Sequence, residues 1–123
     1  MAAAKTILIV DDSPTVRQQL TIVLTANGFE VVAAVNGAEG LERAKKMKAD
    51  LVISDVNMPI MSGLQMIAEI RKLPSYAKTP IFVLTTESGA KVTEGKAVGA
   101  SAWIVKPFKP ESLLAGARRA LGL

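Results

Sequence analysis

Four short apolar runs in this chain each end on a group that could do chemistry. ILIV (7–10) is followed by Asp11 and Asp12, and LVIS (51–54) by Asp55 and then Asn57. IFVL (81–84) runs into Thr85 and Thr86, and AWIV (102–105) into Lys106 and Pro107. Histidine and cysteine are absent, which removes the commonest general base, the commonest zinc ligand and all thiolate chemistry. Carboxylates, hydroxyls, an ammonium and a hard metal ion remain. Carboxylates held within contact distance repel and raise each other's pKa, so a cluster of them costs stability unless it seats a cation. Mg²⁺ suits such a seat, because it takes oxygen ligands and binds through one or two carboxylates plus phosphate oxygens. A carboxylate beside it can attack a phosphoryl group and become an acyl phosphate, while Lys106 neutralises the developing charge and a Thr hydroxyl donates to a phosphoryl oxygen.

Taken singly, each residue has a plainer role. Asp11 and Asp12 could cap a helix, Asp55 could begin a turn, Thr85 could be the last β-branched residue of a strand, and Lys106 could be solvated. The chemical reading requires that all four run ends meet at one rim.

The pattern between the runs supplies that rim. Ser13-Pro14 reads as an N-cap and first helical residue, and Val16, Leu20, Val23 and Leu24 recur at helical spacing before Asn27-Gly28 closes the helix. A second strand is expected over 30–35, a turn at Asn36-Gly37, and a helix over 38–48 with Leu41 and Ala44 inward. Gly63, Met66, Ile67 and Ile70 mark a third helix ending near Leu73-Pro74, and a thin-faced fourth is expected over 90–98. Pro110 opens a last helix with Leu113, Leu114, Ala117 and Leu121 inward. Unbroken strand–helix alternation implies an α/β fold, a parallel sheet with helices on both faces. In such a sheet the working site lies beyond the carboxyl ends of the strands.

Bulk properties set the frame. The 123 residues fit one domain, 1–123, and half of them are hydrophobic, enough for a real core. No stretch approaches the length of a membrane span, and the N-terminal apolar run is too short for a signal peptide, so a soluble cytoplasmic protein with no membrane contact is expected. The net charge of +4 could suggest nucleic acid, yet the one dense basic run, Lys45-Lys46-Met47-Lys48, reads as a solvated helix face, and no nucleic-acid partner is expected.

ILIVDDS, ISDVNMPIMSG, PIFVLTTES and AWIVKPF, in this order and spacing, resemble the receiver domain of two-component response regulators, specifically the stand-alone CheY-like chemotaxis type. The resemblance covers residues 5–121. It implies a (βα)5 flavodoxin-like three-layer sandwich with strand order 2-1-3-4-5, an order already known for that family and not deduced from the pattern. It implies Asp55 as phosphoacceptor, and Mg²⁺ held by the carboxylates of Asp12 and Asp55 and the carbonyl of Asn57, with Asp11 acting mainly through water. Thr85 would be the switch hydroxyl, and Lys106 would pair with a phosphoryl oxygen, its bond to Pro107 being cis. Pro59 and Gly63 would shape the turn that carries Asp55 out of the core. Trp103 stands where the family has a switch aromatic that is usually Tyr or Phe; indole is larger, which puts the usual inward swing in doubt.

The implied function is a phosphorylation-activated signalling switch and not an enzyme beyond its own phosphorylation and dephosphorylation. The implied partners are a histidine kinase and a flagellar motor switch protein or other downstream protein, bound through the face of the fourth helix, fifth strand and last helix. A phosphatase would also fit. The alternative is a phosphorelay shuttle that passes its phosphoryl group to a histidine-phosphotransfer protein. An aspartate-nucleophile phosphatase of the haloacid dehalogenase type fits less well, because Asn57 cannot serve as its general acid. A flavin-binding reading lacks a phosphate-cradling loop after the first strand.

Overall fold

A computed structural model describes residues 4–56, 58–85 and 99–123. Its elements run β1 (Thr6–Val10), α1 (Pro14–Ala26), β2 (Glu30–Ala34), α2 (Gly37–Lys46), β3 (Leu51–Ser54), α3 (Gly63–Arg71), a 3₁₀ turn (Pro74–Tyr76), β4 (Ile81–Thr85), β5 (Ala102–Val105) and α4 (Pro110–Ala120). The five strands form one parallel sheet in the order β2-β1-β3-β4-β5, so the α/β class and the three-layer order 2-1-3-4-5 are as expected. The helix expected over 90–98 lies outside the described residues. No helix among the described residues is long and apolar enough to cross a membrane.

The continuous apolar runs follow from burial on both faces. Successive side chains of a strand point to opposite faces. Thus Leu8, Val10, Val52, Ile81 and Val83 join Met66, Ile67, Ile70 and Ala44 in one cluster under α2 and α3. Ile7, Ile9, Leu51, Ile53, Phe82 and Leu84 join Leu20, Leu24, Leu113 and Ala117 in the other, under α1 and α4. Leu114 and Leu121 pack at the margin of this second cluster and stay partly exposed.

Two local readings change. Asn36-Gly37 is not a free turn. Asn36 is the N-cap of α2, its Oδ1 accepting from Glu39 N at 2.9 Å, and Gly37 is the first helical residue. A Cβ on Gly37 would lie 2.4 Å from the Met61 carbonyl oxygen, so the close approach of α2 to the loop before α3 explains the glycine. The chain after α3 does not simply end at Leu73-Pro74. It makes the 3₁₀ turn that buries Tyr76, whose hydroxyl accepts from Ala49 N at 3.1 Å and lies 2.9 Å from Ala44 O and 2.8 Å from Met47 O. That hydroxyl closes the C-terminal end of α2 with bonds the sequence pattern did not announce.

Candidate functional site

Parallel pairing sets the acids side by side. Val10 pairs with Ser54 across β1 and β3, so the next residues, Asp11 and Asp55, leave neighbouring strands together. The ladder continues past both strand ends: Asp55 N donates to Val10 O at 2.9 Å and Asp11 N to Ala34 O at 3.2 Å. Backbone ladder bonds therefore bring both acids to the same rim.

Lys106 follows β5 and reaches across. Its Nζ lies 3.1 Å from Asp11 Oδ2 and 3.2 Å from Asp55 Oδ2. The other oxygen of each acid is held by backbone: Asp11 Oδ1 accepts from Ser13 N at 2.9 Å, and Asp55 Oδ1 from Val56 N at 2.7 Å. Asp11 is buried at 2% exposure, whereas Asp12 is open to solvent. Ser13, not either aspartate, caps α1 by accepting from Val16 N.

Burial pushes the Asp55 carboxyl above the usual carboxylate range, and the charge of Asp11 pushes the same way; Lys106 and the Val56 N–H pull it only partly back. Burial alone would lower the Lys106 ammonium, but its bonds to Asp11 and the charges of Asp11 and Asp55 outweigh that and hold it above the ordinary lysine range. One cation thus serves two acids, and a third, Asp12, stands beside them.

The donor set fits a hard divalent cation. One carboxylate oxygen from each of Asp11, Asp12 and Asp55 lies within 4.8 Å of the others, close to the span of about 4 Å that two oxygens take on opposite sides of Mg²⁺. Asp12, as the open member, offers a carboxylate not committed to Lys106.

The remaining expected site residues fall as follows. The Lys106–Pro107 bond is cis. Gly63 starts α3 under Ser62, which forms a capping box with Gln65, and Gly63 N donates to Val56 O at 2.8 Å. A Cβ on Gly63 would lie 1.8 Å from the Asp55 carbonyl oxygen, so only glycine lets this loop pass. Pro59 is exposed, and its carbonyl accepts from Met61 N at 2.8 Å around Ile60, which sits at φ 72°. Thr85 is the last residue of β4, opposite Val105. Trp103 lies on β5 opposite Val83 and packs against the cluster under α2 and α3. Asn57 and Thr86 lie outside the described residues.

Beside Tyr76, a second structural residue escaped the sequence reading. Arg71, in the last turn of α3, donates from Nη1 to Tyr76 O at 2.7 Å and Thr79 O at 2.6 Å, and from Nη2 to Gly99 O at 2.7 Å. A cation near a helix C-terminus was the available signal, but its acceptors are distant in sequence.

Comparison with known proteins agrees with this geometry. The model of the response regulator receiver domain matches residues 7–118. The chain is 40% identical over 111 residues to the chemotaxis protein CheY of Thermotoga maritima, covering 89% of this chain and 92% of that one. It is 37% identical over 119 residues to the chemotaxis protein CheY of Bacillus subtilis, covering 96% and 98%. The solved structure of Vibrio cholerae chemotaxis protein CheY4 superimposes with a TM-score of 0.92 at 47% identity, covering 97% of this chain and 100% of that one.

The chain belongs to the response regulator receiver domain family. Within that family it is CheY-like, a phosphorylation-controlled switch of two-component signalling and not a conventional enzyme.

Proposed function

We propose that the chain acts as one receiver unit in the cytoplasm, that Asp55 accepts a phosphoryl group from a histidine kinase, and that the product state changes which proteins the chain binds, in chemotaxis and flagellar motor control. The observation that carries this reading is the placement of Lys106 Nζ between Asp11 and Asp55, at 3.1 and 3.2 Å. A structural ion pair would need one acid; here two acids, buried Asp11 and half-buried Asp55, share the cation, and a third, Asp12, stands open beside them.

Mg²⁺ would be held by the carboxylates of Asp12 and Asp55 and the carbonyl of Asn57, with Asp11 acting through water. Bound there, it would screen the negative charge of an approaching phosphoryl group. A carboxylate oxygen of Asp55 attacks phosphorus, the P–N bond to the donor imidazole breaks, and the imidazole nitrogen takes a proton from solvent. The Val56 N–H orients the acid, and Lys106 Nζ follows the charge onto a phosphoryl oxygen. Thr85 would supply a hydroxyl to the same group. Output would pass through the face made by residues 90–98, β5 with Trp103, and α4. The relatives named chemotaxis proteins support that assignment of output.

The test is intact-mass measurement after incubation with acetyl phosphate and Mg²⁺. The native chain gains one phosphoryl mass and Asp55→Asn gains none while keeping its circular dichroism. Undiminished labelling of Asp55→Asn overturns the assignment.

A further inference from the structure

At the opposite edge of the sheet from Asp55, a cavity of about 430 Å³ is lined by Lys48, Pro74, Ser75, Ala77, Lys78 and Thr79. Lys48, Lys78, Ser75 and Thr79 thus line one small space. Lys48 is held in place: its Nζ donates to Thr79 Oγ1 at 2.6 Å and Ala49 O at 2.9 Å, and stands 4.4 Å from the centre of the Tyr76 ring. Among the described residues no carboxylate lies within ion-pair distance of Lys48 or Lys78. Desolvation lowers the Lys48 pKa, with the charge of Asp50 opposing, as expected of an ammonium lacking a counter-ion in contact.

We propose that this cavity is a binding site for a small phosphate monoester, its dianion taken by Lys48 and Lys78 and its oxygens by the Ser75 hydroxyl. Neutral partners orient Lys48 without cancelling its charge, which is the arrangement an incoming oxyanion completes. The volume exceeds that of inorganic phosphate and leaves room for the organic part of an ester. Occupancy would also brace Thr79, whose carbonyl is tied through Arg71 to Gly99 and so to the start of β5.

The experiment uses Asp55→Asn in magnesium-free buffer, which removes the acidic site as a competing phosphate ligand. Amide resonances of Ser75, Lys78 and Thr79 are followed by NMR while glycerol 3-phosphate, inorganic phosphate or neutral glycerol is added at constant ionic strength. The expected result is a saturable shift with glycerol 3-phosphate at lower concentration than with inorganic phosphate, and none with glycerol. Lys78→Gln, an exposed change that leaves the Tyr76 packing alone, should raise the midpoint about fivefold, and the pair Lys48→Gln/Lys78→Gln about tenfold or more. Shifts that stay linear, or a midpoint unchanged in Lys78→Gln, overturn the site. Tighter binding of inorganic phosphate than of glycerol 3-phosphate overturns the ester assignment.

Discussion

Lys106 decides how the acidic rim behaves at the scale of single residues. Its removal leaves Asp11, at 2% exposure, without its cation, so Lys106→Ala should cost about 2 kcal/mol in urea unfolding at neutral pH. The Asp55 carboxyl has a raised folded-state pKa, so without metal its charge opposes folding at neutral pH. Lowering the pH through that folded pKa toward the ordinary carboxylate value should therefore raise stability, and Asp55→Asn should flatten that limb. Lys106 has the other sign: its raised pKa gives stability that is present at neutral pH and lost only as pH climbs through the folded value. Mg²⁺ should reverse the acid limb, because an ion bound to the carboxylates stabilises the native state and departs as they protonate. The checks are urea midpoints across pH with and without EDTA; an EDTA effect of equal size in Asp55→Asn would contradict the metal assignment.

At the scale of elements, glycines and one turn residue set the tolerances. Gly63→Ala places a Cβ against the backbone oxygen of Asp55, which cannot swing aside, so a loss of about 3 kcal/mol and slower labelling by acetyl phosphate are expected. Gly40→Ala meets Met66 Sδ and Val10 methyls, of which the thioether can move, so about 1 kcal/mol is expected. Ile60→Asn should stabilise by about 1 kcal/mol in thermal unfolding, because Ile60 is 83% exposed and holds a left-handed φ of 72° that a β-branched residue resists. The legibility of these elements follows the range of the forces. Strands β1 and β3 were readable because burial on both faces demands an unbroken apolar run, and α1 because Leu20 and Leu24 recur at helical spacing. Asn36-Gly37 was not, since Asn-Gly serves turns and caps alike and a remote carbonyl, Met61 O, decides between them. The Tyr76 and Arg71 hubs depend on backbone groups that the fold brings to them, Ala44 O and Ala49 N for one and Gly99 O for the other. In the site, strand-end logic gathered Asp11, Asp12, Asp55 and Lys106, but which aspartate is buried depends on the Ser13 N–H and Lys106 geometry.

For the molecule as a whole, the sheet separates two apolar clusters, and the three aspartates gather at its C-terminal edge. Trp103 belongs to the cluster under α2 and α3 and pairs with Val83, two residues before Thr85 at the end of β4. Adding beryllofluoride with Mg²⁺ should therefore change the fluorescence of this single tryptophan in the native chain and not in Asp55→Asn. A response retained in the variant would separate Trp103 from the acidic rim. The ladder bonds Asp55 N to Val10 O and Asp11 N to Ala34 O carry one more implication. Because they hold the two acids through the backbone, the spacing of the site is indifferent to the length of the connections at the far edge. Extra residues spliced between Asn27 and Gly28, both exposed, should leave acceptor chemistry intact, which makes that turn a port for grafting a tag or a second domain onto a working switch.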